Sequence, residues 1–183
     1  MILLFGPTGA GKSVQGKMLA VRQDWKWLST GEMLRESKDP EVNKVLKSGE
    51  LVSDDLTYGV FSAAIDDAVE KKYQNIIVDG FPRTKEQAEW MSSYMEKSHQ
   101  KIDLVIVLEV PQSEIMDRLA KRQRMEDTPE TIARRMTIYR KKMYPVLGIF
   151  AEDGIDIVHV DGTGTAGEVH DKIYSEVALA CLD

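Results

Sequence analysis

Cysteine is almost absent from this sequence of 183 residues, because Cys181 is the only one. An internal disulfide is therefore excluded, and the three histidines lack metal-ligand spacing, so we expect no structural zinc. The sequence also lacks any run of 18 apolar residues, and Met1 leads directly into a short apolar segment rather than a charged leader. We therefore expect no membrane partner and a cytoplasmic location.

Positive charge is also scarce, since the formal net charge is −6, and this argues against nucleic acid as a partner. The basic residues are nevertheless concentrated in one segment, 118–142, which carries nine of them against three acidic residues and so has a net charge of +6. The simplest interpretation of such a run is a solvated helix face. An anion-binding wall is the alternative, and the motifs elsewhere decide between them.

Short apolar runs alternate with longer segments of helical character. We predict strands over Ile2 to Phe5, Ile76 to Val78, Leu104 to Val110 and Ile155 to Val160. We predict helices over Lys12 to Arg22, Asp55 to Lys72, Lys85 to Lys97, Gln112 to Gln123, Pro129 to Met143 and Ala166 to Leu182. This alternation predicts a single α/β domain over residues 1–183, with a central parallel sheet and helices on both faces.

The segment from Gly6 to Ser13, GPTGAGKS, lies between the first predicted strand and the first predicted helix. Its glycines permit a loop whose backbone N–H groups turn inward around a phosphate, and the next helix presents its positive end there. Lys12 is then expected to pair with the β- and γ-phosphates of a nucleotide, and the Ser13 hydroxyl to bind Mg²⁺. The pattern predicts the three-layer fold of P-loop NTPases, although a merely tight turn is the alternative.

A second motif, Asp79-Gly80-Phe81-Pro82-Arg83, follows a predicted buried strand. Ligands of open α/β sheets bind at the carboxyl ends of the strands, so Asp79 is a candidate for holding Mg²⁺, in part through water. Arg83 has the planar fork that binds a phosphate through two hydrogen bonds. A turn with a surface salt bridge is the structural alternative.

Four blocks in this order resemble the adenylate kinase family of nucleoside monophosphate kinases: GPTGAGKSVQG from Gly6, LSTGEMLR from Leu28, DGFPRTKEQ from Asp79, and DRLAKRQRMEDTPETIARRM from Asp117. Val160-Asp161-Gly162 is similar to the family's last strand and turn. The resemblance implies reversible transfer of a phosphoryl group from Mg·ATP to AMP, giving two ADP, in adenine nucleotide homeostasis.

The resemblance also implies roles for individual residues. ATP is expected at Gly9, Ala10, Gly11, Lys12, Ser13, Val14 and Arg118. AMP is expected at Thr30, Gly31, Arg35, Gly80, Arg83 and Gln87, with an AMP-binding insertion over about 30–60. The groups expected around the transferred phosphoryl group are Lys12, Arg83, Arg122, Arg124 and Arg135, while Arg134 is expected to be a surface charge. The Gln87 amide offers a donor and an acceptor, which suits the adenine edge. Similar pyrimidine monophosphate kinases usually differ at the positions of Thr30 and Gln87, so the resemblance favours AMP over CMP or UMP.

The sequence departs from the family pattern where a lid is usually inserted. Only Gln123 stands between Arg122 and Arg124, so the lid is truncated to about 122–126. A lid excludes water from phosphoryl transfer. We therefore expect the Arg118 to Arg135 helical pair to close directly on ATP, with more ATP hydrolysis than in lidded relatives. A monomer is the default, and a neighbouring subunit that covers the site is the alternative.

Two other functions compete with this interpretation. One is a kinase for CMP, UMP or another nucleoside monophosphate, since a side-chain amide can be reoriented to suit another base. The other is a non-catalytic nucleotide sensor or assembly ATPase on the same fold. The arginines expected to face phosphate argue against the second, because a protein that only senses ATP has no need of them.

Overall fold

The computed structural model describes residues 1–36, 40–122 and 127–181, which form five strands and eight helices. The strands are β1 (Ile2–Phe5), β2 (Lys26–Ser29), β3 (Ile76–Asp79), β4 (Leu104–Glu109) and β5 (Ile157–Asp161). The helices are α1 (Lys12–Gln23), α2 (Thr30–Glu36), α3 (Pro40–Ser48), α4 (Asp54–Glu70), α5 (Lys85–Lys97), α6 (Gln112–Arg122), α7 (Pro129–Glu152) and α8 (Ala166–Cys181).

The five strands form one sheet in the order β2-β3-β1-β4-β5, and every neighbouring pair is parallel. Strand β1 lies in the centre, where Ile2 pairs with Ile77 of β3 on one side and Leu104 of β4 on the other. The carboxyl ends of parallel strands meet at one edge of the sheet, so the loops that follow β1 and β3 are adjacent there.

Two apolar layers cover the sheet, because successive side chains of a strand point to opposite faces. Leu3 and Phe5 of β1 pack with buried residues of α4, α5 and α7, whereas Ile2 and Leu4 pack with those of α1 and α8. The predicted three-layer α/β fold, with a parallel sheet and helices on both faces, is thus confirmed.

Most predicted elements begin and end within one or two residues of their observed bounds, and the larger differences are at β2, at the helices after it and at the end of α7. Strand β2 was not predicted, and the residues after it form two helices, α2 and α3. Helix α7 does not end at Met143 but continues through Pro145 to Glu152. The truncated lid predicted at 122–126 lies, apart from Arg122, outside the described residues. Among the helices that the structure describes, none is both long and apolar enough to cross a membrane.

Candidate active site

A cavity of about 550 Å³ opens at the carboxyl edge of the sheet. It is lined by the loop after β1, the start of α2, the turn after β3, and residues of α6 and α7. The cavity also reaches the turn after β5, at Gly162 to Ala166. Every predicted site residue inside the described ranges lines it: Gly9, Ala10, Gly11, Lys12, Ser13, Val14, Thr30, Gly31, Arg35, Asp79, Gly80, Arg83, Gln87, Arg118, Arg122 and Arg135. Arg124 lies outside the described residues.

The loop after β1 has the conformation of a phosphate cradle. Gly9 and Gly11 have φ angles of 85° and 98°, which disfavour residues with a Cβ atom. At Gly9 an added Cβ would also lie 2.9 Å from Leu119 Cγ, so α6 packs directly on the loop. Helix α1 begins at Lys12 with no acidic residue in its own first turn, so none of the side chains of that turn carries a negative charge against the positive end of the helix.

Lys12 is held inside this loop by the backbone. Its Nζ atom donates to the carbonyl oxygens of Gly6 and Pro7, at 2.8 and 2.9 Å. Burial lowers the pKa of Lys12 to about 8; Asp79 opposes the shift, whereas Arg83 and Arg122 add to it. An anion bound in the cradle would favour the charged form of this amine and raise its pKa again.

A hydroxyl and a carboxylate are hydrogen-bonded between the first turn of α1 and the end of β3. Ser13 Oγ donates to Asp79 Oδ2 at 2.6 Å, and Asp79 is buried at the end of β3. Two adjacent oxygen atoms that can bind a metal, one of them anionic, suit Mg²⁺. This ion is usually bound through one or two carboxylates together with substrate phosphates. The residues present at this point therefore fit a magnesium ion.

A second cationic region lines the cavity at the start of α2 and the turn after β3. An added Cβ at Gly31 would lie 3.3 Å from Arg35 Nη1 and 3.6 Å from Arg83 Nη2, so both guanidinium groups approach the same point of the backbone. Burial lowers the pKa of Arg83, and the nearby Arg135 and Arg35 lower it further, while Asp79 opposes them. Thr30 Oγ1 is buried there with no hydrogen-bond partner. These groups together are suited to a bound anion.

Gln87 is buried at the first turn of α5, with 2% of its surface exposed. Its Oε1 accepts from the backbone N–H of Arg83 at 2.8 Å, and its Nε2 donates to Asp54 Oδ1 at 2.7 Å. Sequence reasoning did not single out Asp54, because its proximity to Gln87 arises only when α4 and α5 pack together.

The arginines of α6 and α7 form the remaining wall. Arg118 donates to the carbonyl oxygens of Ala10, at 3.2 Å, and Gly162, at 2.8 Å, and also pairs with Glu114. Arg122 binds Asp127 through two hydrogen bonds of 2.7 and 2.8 Å.

Arg135 lies on the other side of Asp127, with its Nη1 3.4 Å from Asp127 Oδ1. The side chain of Asp127 is 3% exposed, and its carboxylate pairs with both Arg122 and Arg135. Asp127 therefore holds two guanidinium groups of the wall in place. The resemblance placed Asp127 at the position of an aspartate that usually follows the lid, but the sequence analysis gave it no role in the site.

The carboxyl-terminal end of α3 contacts the start of α7. Arg135 Nη2 donates to the carbonyl oxygen of Leu46 at 3.0 Å, and Thr131 Oγ1 donates to that of Lys47 at 3.4 Å. Arg134 Nη1 donates to that of Ser48 at 3.1 Å. These three bonds join the predicted AMP-binding insertion to the arginine wall.

A parallel sheet with a lysine-containing phosphate cradle after its central strand, opposite a second cluster of cations, defines a P-loop phosphotransferase. Comparison with known proteins gives the particular family. The family model described as adenylate kinase matches residues 4–155. The chain belongs to the adenylate kinase family.

Individual relatives are similar over almost their whole length. An adenylate kinase of Thermus thermophilus is 32% identical over 188 aligned residues, which cover 97% of both chains. That of Hyphomonas neptunium is 35% identical and covers 94% of this chain and 95% of its own. That of Salinibacter ruber is 32% identical, with 100% and 99% covered.

Proposed function

We propose that this protein catalyses the reversible transfer of the γ-phosphoryl group of Mg·ATP to AMP, giving two ADP. The observation that carries the proposal is that two cationic regions line one cavity, the Lys12 cradle and the pair Arg35 and Arg83. Two phosphorylated ligands can thus face each other with the arginine wall between them. The names of the relatives favour AMP over other acceptors.

On the donor side, the cradle N–H groups and Lys12 bind the β- and γ-phosphates, with Arg118 beside the ATP base. Val14, which is half exposed on the first turn of α1, adds contact area at the cavity wall. Ser13 and Asp79 would hold Mg²⁺, which when bound neutralises charge on the β- and γ-phosphates.

On the acceptor side, Thr30, Gly31, Arg35, Gly80 and Arg83 hold the AMP phosphate, and Gln87 reads its base. No general base is required, since the attacking phosphate oxygen is already anionic. Arg122 and Arg135 stabilise the charge that spreads over the transferred phosphoryl oxygens, and Asp127 keeps both in place before substrate binds. Arg124 completes this set by resemblance to the family.

The remaining features of the proposal concern the chain as a whole. Because both halves of the site come from one chain, we expect a single domain to be competent as a monomer, with the insertion at about 30–60 as the acceptor side. The short lid at 122–126, the higher ATP hydrolysis, the cytoplasmic location and the absence of nucleic acid and membrane partners stay predictions.

The defining experiment is product formation from Mg·ATP with AMP, CMP, UMP or GMP in parallel reactions, followed by chromatography. We expect ADP to form rapidly with AMP and slowly with the others. Rapid transfer to CMP or UMP would leave the phosphotransferase assignment intact and show that AMP is not the preferred acceptor. Hydrolysis of ATP without transfer to any monophosphate would favour the nucleotide sensor.

The lowered pKa of Lys12 predicts that ATP binding takes up a proton in alkaline solution. Below pH 8 the amine is already charged in the free protein; above pH 8 it must regain a proton to pair with phosphate. At pH 9 we expect an uptake of about one proton per ATP, and at pH 7 close to none. Calorimetry in two buffers of different ionisation enthalpy measures this quantity.

Lys12→Arg is the matched control for this titration, since a guanidinium stays charged throughout the range. Its proton uptake should be the same at pH 7 and pH 9. Equal proton uptake by the wild type and Lys12→Arg at pH 9 would show that a group other than Lys12 takes up the proton.

A further inference from the structure

We infer that Asp54 is a positioning residue that fixes the orientation of the Gln87 amide and thereby selects the base of the acceptor. The selected base presents an exocyclic amino group beside an unprotonated ring nitrogen. The inference rests on the proposed function, in which Gln87 faces the base of the monophosphate. Asp54 acts through Gln87 and is half-buried at the first residue of α4.

The two hydrogen bonds of the Gln87 amide determine which of its ends is oxygen. The backbone N–H of Arg83 can only donate, so the atom 2.8 Å from it must be Oε1. The carboxylate of Asp54 can only accept, so the atom 2.7 Å from it must be Nε2. These partners belong to different elements, the turn after β3 and the start of α4, and they specify the same orientation.

Rotation of the amide by 180° would break both bonds at once. Nε2 would then face the N–H of Arg83, and Oε1 would face the Asp54 carboxylate. Each contact would place like partial charges together inside a buried site, and both lost partners would stay unpaired. The Arg83 N–H and the Asp54 carboxylate thus favour the same orientation, and Asp54 adds the second of the two constraints, which makes the reversed orientation more costly.

The fixed amide keeps one lone pair on Oε1 and one hydrogen on Nε2 for a ligand. A base with an amino group and an adjacent acceptor nitrogen matches this pattern, as adenine does. A 6-oxopurine, such as the base of IMP or GMP, presents an acceptor and an N–H donor in the reverse order. Cytosine shares the polarity of adenine, so the amide excludes oxo bases, and the cavity shape must separate AMP from CMP.

The test compares AMP with IMP, which differ at the purine 6-position and in protonation of N1. With saturating Mg·ATP, kcat/KM is measured for both acceptors in the wild type and in Asp54→Asn. The asparagine amide can donate or accept, so only the Arg83 N–H still constrains the Gln87 amide and the reversed orientation costs less. We expect the preference for AMP over IMP to fall about tenfold, equivalent to about 1.4 kcal/mol. The change should be in the acceptor KM, while the KM for ATP and kcat with AMP stay within about threefold of the wild type.

Asp55→Asn is the matched control, because Asp55 is an exposed acid in the same first turn of α4. It removes the same charge from the same helix end and should leave the AMP to IMP ratio unchanged. If Asp54→Asn does not fold, Asp54→Ser provides the same test, since a hydroxyl also donates or accepts and serine is tolerated at helix starts. An unchanged ratio in the Asp54 variant, or an equal change in Asp55→Asn, overturns the inference. Failure of the proposed function would differ, because the wild type itself would then not phosphorylate AMP.

Discussion

Arg135→Ala is expected to lower kcat/KM for ADP formation by about 10³-fold, the lower end of the range for arginines that stabilise a transferring phosphoryl group. The guanidinium of Arg135 lines the cavity and is held by Asp127 and by the carbonyl oxygen of Leu46. Its charge therefore needs no reorganisation when negative charge develops on the phosphoryl oxygens. Most of the loss should be in kcat, because an interaction made in the transition state affects kcat and kcat/KM equally.

Arg134→Ala provides the control for this prediction. Arg134 is the preceding residue of α7, half exposed, and pairs with Glu50. Its removal takes away the same charge from the same helix but no group of the cavity wall, so kcat/KM should fall less than about threefold. Comparable losses in the two variants would show that Arg135 acts through the helix or the insertion rather than on the phosphoryl group.

Lys12→Met is expected to lower kcat/KM by about 10³-fold as well, the effect of deleting one preorganised donor to developing charge. Methionine keeps the length and apolar character of the lysine stem, so the loop should keep its shape. Because Lys12 pairs with ATP in the ground state too, the KM for ATP should rise together with the fall in kcat. Steady-state kinetics with varied ATP at saturating AMP separates the two parameters.

Lys17→Met is the corresponding control, since Lys17 lies on the same helix and pairs with Glu32 at the surface. Both kinetic parameters should stay near the wild-type values. If Lys12→Met keeps wild-type kcat with a raised KM, the amine binds ATP equally in the ground and transition states. The prediction that Lys12 stabilises the transition state would then be wrong.

Much of the fold could be predicted from the sequence because the central strands are continuous apolar runs. Strand β1 matches its prediction residue for residue, and α5 does the same. Strand β2 was missed because Lys26-Trp27-Leu28-Ser29 is short and begins with a charge, so its identity as a strand depends on pairing with β3. Helix α7 was predicted to end at Met143, but it continues past Pro145, because burial of Val146, Leu147 and Phe150 outweighs the lost hydrogen bond.

The cradle could be predicted because its residues are contiguous in the sequence. The partners that orient the other side chains could not, because these contacts form only when helices pack together. Asp127 is adjacent in space to Arg122 and Arg135 only when α6 and α7 converge. Asp54 and Gln87 are 33 positions apart, and nothing in the local sequence of either indicates the other. Arrangements of this kind depend on tertiary packing.

The bonds between α7 and the segment at Leu46 to Ser48 have a consequence for sequence variation. All three acceptors in this segment are main-chain carbonyl oxygens, whereas the donors are side chains of α7. Every amino acid carries such a carbonyl group, so substitutions at 46–48 preserve the contact as long as the backbone keeps its path. We therefore expect natural variants to differ freely at the exposed Lys47 and Ser48 and to retain the donors Thr131 and Arg135 opposite them, whereas Leu46, which also lines the cavity, should stay apolar.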